Sequence, residues 1–242
     1  SSLPNTLNAG ARDSYHAKKC QFRGVSNVLV NEGGLTMNNE QNKGWYNRGY
    51  LPHFDEQNRI QMVNFRLDDS MPMSVIEKFE RRLTEMMHMP DNDVRSREIA
   101  RLYYKREEYL DKGFGSCLLG EPLNAKIVVD TLKYFHLERY ELIAWVVMPN
   151  HVHVIIKLRE GYQLSKQVIS WKKFSSRQIN ERLNSSKSIW QTDYYDRFIR
   201  NEKHLMDAVN YIHNNPVKAG LVAKEEDWEF SSAKGWEIVV SC

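Results

Sequence analysis

The chain has 242 residues, enough for one core with appendages or for two small domains, and its formal net charge of +3 is too small to argue for a nucleic-acid partner by itself. Its three cysteines, Cys20, Cys117 and Cys242, are scattered with no Cys-x-x-Cys, which argues against a disulfide framework or a zinc ribbon and suits a reducing compartment. No apolar run approaches the ~20 residues that span a bilayer, and the first residues lack the apolar core of a signal peptide, so the expectation is a cytoplasmic protein with no membrane partner.

Residues 1–42 are rich in Ser, Asn and Gly with weak hydrophobic periodicity. They read as a disordered or non-native extension in which only Val25 to Val30 could form a short strand, and residues 43–242 read as a single domain. Trp45 to His53 is an aromatic, Gly-containing arm. Alternation of Val63, Phe65 and Leu67 predicts a first strand over Ile60 to Leu67. Pro72 then suits the first turn of a helix whose apolar stripe is Val75, Ile76, Phe79, Leu83, Met86 and Met87. Val94 to Lys112 is strongly charged, with a narrower stripe of Ile99, Leu102, Tyr103, Tyr109 and Leu110. It reads as an exposed helix stopped by Gly113, its mixed charges forming a solvated face. Pro122 to Phe135 predicts another helix, with Ala125, Val128, Val129, Leu132 and Phe135 inward. Tyr140 to Met148 and His151 to Leu158 predict two strands around a tight Pro-Asn turn. A helix over Leu164 to Leu183, a strand-like or irregular Trp190 to Ile199, and a last helix over Glu202 to Asn215 follow. This order suits an α+β fold, an antiparallel sheet with helices packed on one face.

Two places in this scheme carry chemistry. In the strand His151-Val152-His153 the two imidazoles project from the same face, and an otherwise apolar strand has to satisfy four ring nitrogens. Paired imidazoles are good ligands for a divalent ion; the alternative is one histidine in a hydrogen bond and its neighbour at the sheet edge. Downstream, Leu205, Ala208, Val209 and Ile212 have helical spacing and Pro216 disfavours helical geometry at Asn215. On that helix Tyr211 and Asn215 lie one turn apart. A tyrosine hydroxyl, an amide oxygen and two imidazoles suit metal-assisted phosphodiester chemistry, with the tyrosine as nucleophile and the metal polarising the phosphate. Taken alone, a tyrosine near a helix end, as Tyr211 is, is more often a half-buried amphipathic residue.

Met148-Pro149-Asn150-His151-Val152-His153, Trp190-Gln191 with Tyr194-Tyr195-Asp196-Arg197-Phe198-Ile199-Arg200, Tyr211-Ile212 through Asn215-Pro216-Val217-Lys218-Ala219-Gly220-Leu221, and Trp228 with Ser231-Ser232 together resemble the REP-associated tyrosine transposases. These are single-tyrosine members of the HUH (His-hydrophobic-His) endonuclease and transposase class. The resemblance runs from about Trp45 to the C-terminus, in order and with similar spacing. It implies a ferredoxin-like core with the histidine strand at its centre. It further implies a divalent metal, Mg²⁺ or Mn²⁺, on His151, His153 and Asn215, and attack of Tyr211 on single-stranded or hairpin DNA (REP-like palindromes). The product would be a 5′-phosphotyrosine link and a free 3′-hydroxyl.

A DNA surface has candidates in Lys166, Lys172, Lys173 and Arg177, interleaved with Trp171 and Phe174, since cations hold phosphates while aromatic faces stack on unpaired bases. A solvated amphipathic helix with Trp171 and Phe174 facing the core accounts for the same pattern. Arg197, Arg200 and Lys218 flank Tyr211 in sequence and add possible phosphate contacts, although Arg197 has Asp193 and Asp196 as alternative partners. His213 lies close enough to Tyr211 to be a reserve ligand. The reading that follows is a DNA strand transferase or endonuclease. Its rivals are a metal-dependent nuclease that uses water and a non-catalytic hairpin-binding regulatory protein.

Overall fold

A computed structural model describes residues 59–90 and 93–241, together with the strand segments β1 (Lys18–Lys19), β2 (Val28–Asn31), β3 (Gly44–Asn47) and β4 (Pro52–Asp55). β2 overlaps the strand expected within residues 25–30; the rest of the expected extension over residues 1–42, apart from β1, lies outside the described residues. β3 and β4 overlap the two ends of the aromatic arm and pair with each other antiparallel.

The alternation of Val63, Phe65 and Leu67 produces β5 (Ile60–Arg66), whose odd positions are all buried. After β5 the chain forms α1 (Met73–Met87), α2 (Asp93–Asp111) and α3 (Pro122–Lys133). Gly113, at φ +69°, ends the run of α2: its N–H bonds to the Leu110 carbonyl in a left-handed geometry that glycine adopts without strain. The hairpin β6 (Tyr140–Val147) and β7 (His151–Leu158) follows, then α4 (Leu164–Leu183), β8 (Tyr195–Phe198), α5 (Glu202–His213), the single helical turn α6 (Asn215–Lys218) and β9 (Ile238–Ser241). β9 runs parallel to β2. Among the described residues, no helix is long and apolar enough to cross a membrane.

The central sheet is antiparallel with strand order β6-β7-β5-β8. With α3 and α4 as crossovers, this is the β-α-β-β-α-β arrangement of a ferredoxin-like fold, and α1 and α2 are inserted between its first strand and its first crossover helix. The histidine strand β7 is internal, between β6 and β5. Its even residues Val152, Val154, Ile156 and Leu158 join Leu132 of α3 and Val168, Trp171 and Ile179 of α4 in one apolar cluster, the helix layer that the sequence predicts.

The structure adds a second layer. Ile155 of β7 packs with Ile143, Ala144 and Val146 of β6 against Leu205, Ala208, Val209 and Ile212 of α5. All eight residues of β6 are buried because helices cover both its faces, which is why the hairpin is almost uninterruptedly apolar. His151 and His153 share the parity of Ile155, so they face the side on which α5 carries Tyr211.

The last helix differs from expectation at its end. α5 stops at His213, Asn214 keeps helical dihedrals (φ −78°, ψ −3°), and α6 opens at Asn215 with Pro216 in its first turn. Proline is tolerated there because the first N–H groups of a helix have no intrahelical partner. Pro216 therefore divides two helical pieces instead of ending helical structure.

Candidate metal centre and nucleophile

β7 places His151 and His153 side by side, their ring centroids 4.9 Å apart, and both are fully buried. Register determines their neighbours. Asn64 of β5 stands opposite His153, and its amide nitrogen lies 3.2 Å from His153 Nδ1 and donates to Glu107 Oε2 at 2.9 Å. Asn150, in the turn before β7, faces His151 Nδ1 through its Oδ1 at 2.8 Å, while its Nδ2 donates to the Leu110 and Phe114 carbonyls. An amide oxygen only accepts, so the His151 proton sits on Nδ1 and the Nε2 lone pair is free. That Nε2 is buried with no hydrogen-bond partner.

The structure also brings α2 into the site, which the sequence reading assigned to solvent. Glu107 Oε2 lies 3.2 Å from His153 Nε2, and Asp111 Oδ1 lies 4.0 Å from His151 Nε2. Both carboxylates follow Tyr103, a buried residue, at helical intervals on one face. That spacing inside the apolar stripe was the available signal, and it was masked by the density of charge in the segment.

Tyr211 presents its ring to His153 edge to face, with centroids 5.5 Å apart, and the Lys218 ammonium sits 4.8 Å above the Tyr211 ring. Asn215 is fully buried, and neither its Oδ1 nor its Nδ2 has a hydrogen-bond partner. His213 is not drawn to the imidazoles: its Nε2 is 2.7 Å from Ser232 Oγ.

Burial and neighbouring charge tune these groups. Burial, then the adjacent His153, holds the His151 imidazole down at about 3, so it is neutral at physiological pH, as a metal ligand must be. Burial alone would raise Glu107, but Arg106 at 3.0 Å and His153 outweigh it and hold the carboxyl at about 2. Burial pushes Asp111 up to about 6. Burial, with Glu107 and Asp111 nearby, pushes the Tyr211 phenol above its usual range. Without a compensating cation, the Tyr211 phenol stays protonated.

The donor set fits a divalent ion. One ligand atom each from Glu107, His151 and His153 lies within 4.8 Å of the others. A buried, unpartnered imidazole nitrogen is a costly group unless something occupies its lone pair. Carboxylate oxygen suits hard ions such as Mg²⁺ or Mn²⁺, and imidazole nitrogen suits borderline ions such as Zn²⁺ or Fe²⁺.

The predicted DNA-contacting residues divide. Lys172 is corrected: it is 9% exposed, and its ammonium donates to the carbonyls of Gln191, Thr192 and Asp193 at 3.0, 3.2 and 2.8 Å. All three of its N–H donors are consumed inside the fold, so it is no surface cation. Trp171 is core, donating its indole N–H to Tyr140 Oη, whereas Phe174 is exposed with Arg177 over its ring. Lys166, Lys173 and Arg177 are exposed, but α4 packs on the sheet face opposite the imidazoles, so they point away from Tyr211. Arg177 also pairs with Glu181 at 3.7 Å. Arg197 is exposed and bonded to His204, Arg200 is exposed, and Lys218 alone of the set touches Tyr211.

Residues 127–215, the segment that holds His151, His153, Tyr211 and Asn215, match the family model of IS200-like transposases. The chain is 39% identical over 98 residues, covering 38% of it, to the REP-associated tyrosine transposase of Escherichia coli K12. It is 30% identical over 103 residues, again 38% of the chain, to a Haemophilus influenzae protein provisionally named for the same group. These matches span 54% and 58% of the two relatives, so the chain aligns with about half the length of each. A solved structure of a REP-associated tyrosine transposase bound to a REP hairpin is similar with TM-score 0.44 at 23% identity, covering 77% of this chain and 81% of that one. Over this segment the chain is similar to the REP-associated tyrosine transposases.

Proposed function

We propose that the chain is a DNA strand transferase and endonuclease that cleaves and rejoins single-stranded or hairpin DNA through a covalent link to Tyr211. The observation that carries this reading is the meeting of the Tyr211 ring with His153, beside an imidazole whose buried Nε2 has no partner. REP-like palindromes are the proposed substrate, from the names of the relatives.

His151, His153 and Asn215 would hold a divalent ion, Mg²⁺ or Mn²⁺. Bound there, it would withdraw charge from a non-bridging phosphate oxygen and offset the burial and the two carboxylates that keep Tyr211 protonated. Tyr211 Oη would attack phosphorus in line, forming the phosphotyrosine bond as the bond to the 3′-oxygen breaks. The phenol proton is released as its oxygen bonds to phosphorus, and the departing 3′-oxygen takes up a proton to become a hydroxyl. Asn150 holds the His151 imidazole in place throughout. Because the phosphodiester is exchanged for a phosphotyrosine ester, the reverse attack by a 3′-hydroxyl can rejoin the strand. Lys218, on the face of Tyr211, would hold an adjacent phosphate, with Arg197 and Arg200 further along the same approach.

Incubating the protein with a labelled hairpin bearing single-stranded flanks and Mn²⁺, then denaturing it, tests the proposal. A labelled band at the mass of protein plus DNA is expected. Cleavage with no such band would mean that water is the nucleophile, and tight binding with no cleavage would mean a regulatory hairpin binder.

A further inference from the structure

We infer that α2 supplies carboxylate ligands to the metal centre, with Glu107 bound beside His151 and His153 and Asp111 a second oxygen donor on the side of His151. The inference rests on the metal-dependent reading above and extends it to residues outside the segment that the family model matches, residues 127–215. Carboxylates one helical turn apart project from one helix face, and here each meets one imidazole. Glu107 Oε2 stands 3.2 Å from His153 Nε2, a distance compatible with a hydrogen bond. Asp111 Oδ1 stands 4.0 Å from His151 Nε2, too far for one.

Asp111 Oδ1 and His151 Nε2 are both buried, and neither has a hydrogen-bond partner among the described residues. Two costly orphans facing each other across such a gap are explained by a shared cation. Nitrogen and oxygen donors sit about 2.0–2.2 Å from Zn²⁺ or Mg²⁺, so two donors can share one ion only when they stand within about 4 Å of each other, as this pair does. The carboxylate of Glu107 is also held as a ligand should be: Arg106 binds its Oε1 at 3.0 Å and Asn64 its Oε2 at 2.9 Å. Asn150 ties the end of α2 to the turn before His151 through the Leu110 and Phe114 carbonyls. The inserted helical pair is thus fastened to the sheet where the ion would bind, and ion binding would dock α2 more firmly.

Titration of the full chain with Mn²⁺ alone, without DNA, tests this by the loss of the free-ion electron paramagnetic resonance signal. Glu107→Gln keeps an oxygen that can accept hydrogen bonds and removes the charge, so a positioning role survives while carboxylate ligation is replaced by a weaker, neutral amide oxygen. Binding at least ~10-fold weaker than wild type is expected for Glu107→Gln, at or beyond the lower end of what loss of an outer hydrogen-bond partner costs. Asp111→Asn should show a weaker affinity too, and Mn²⁺ should slow amide exchange along α2 in the wild type. Circular dichroism checks that each variant is folded, and Asp111→Asn alone decides the matter if Glu107→Gln is not. Mn²⁺ affinity within about twofold of wild type in the folded variants, or a wild type that binds no Mn²⁺, overturns the inference. A wild type that binds Mn²⁺ through α2 yet never attaches to DNA sinks the strand-transfer reading and leaves this one standing.

Discussion

Replacing Lys172 by Met should cost stability and leave the salt dependence of DNA binding alone, the reverse of the behaviour of a phosphate-contacting lysine. Its ammonium joins α4 to the segment before β8 through three carbonyls at 3.0, 3.2 and 2.8 Å. A hydrogen bond from a charged donor contributes roughly 1.5–3 kcal/mol net. Against that gain stands the cost of burying the charge. Burial pushes the Lys172 pKa from 10.5 down to about 8, and at ~1.36 kcal/mol per unit this costs the ammonium about 3 kcal/mol. Met fills most of the stem's volume and removes both contributions, so the net destabilisation is expected near ~3 kcal/mol. Urea unfolding should show a lowered midpoint at unchanged slope, and the affinity for hairpin DNA should fall with salt as steeply as in the wild type. Stability within ~0.5 kcal/mol of wild type, with a log-log salt slope shallower by roughly 0.9, would refute the reasoning and return Lys172 to the DNA surface.

Burial pushes His213 from 6.5 down to about 4, so the unfolded chain takes up the proton first. This contribution is fully present above pH 6.5 and is lost as pH falls towards 4, about 3 kcal/mol in all at ~1.36 kcal/mol per unit. Melting curves of His213→Gln should decline less in that window, and an acid profile identical to wild type would contradict the assignment. Asn150→Ala leaves the Leu110 and Phe114 carbonyls and His151 Nδ1 without their partner. A loss of roughly 2–4 kcal/mol in denaturant unfolding and of roughly 10–100-fold in Mn²⁺ affinity is expected, and unchanged Mn²⁺ binding would mean that His151 orients itself. Lys218→Ala should lower the salt slope of DNA binding by roughly 0.9 with stability changed by less than ~0.5 kcal/mol; a wild-type slope would put the DNA path elsewhere.

The sheet was legible because its signals are local. Val63, Phe65 and Leu67 alternate, Pro149 and Asn150 mark the turn, and β7 and α4 fall at the predicted residues. The pairing of His151 with His153 follows from strand geometry alone, and the approach of Tyr211 agrees with the resemblance. What escaped depends on tertiary contacts. The mixed charges of α2 look solvated in one dimension, yet folding turns Glu107 and Asp111 towards the imidazoles. Lys172 and Lys173 are adjacent and chemically alike, but one faces a row of carbonyls inside and the other faces water. The break at Pro216 was visible, whereas the restart of helix at Asn215 was not, because proline is permitted in a first turn as readily as it ends a last one.

Tyr211→Phe is the most direct test of the central claim. It removes one hydroxyl and keeps the ring against His153 and beneath Lys218, so fold and hairpin affinity should stay near wild type. Intact-mass analysis after incubation with hairpin DNA and Mn²⁺ should show the covalent adduct in the wild type, peptide mapping should place it on Tyr211, and the phenylalanine variant should show none. An adduct that persists in Tyr211→Phe, or one mapped to Tyr194 or Tyr195, would contradict the account.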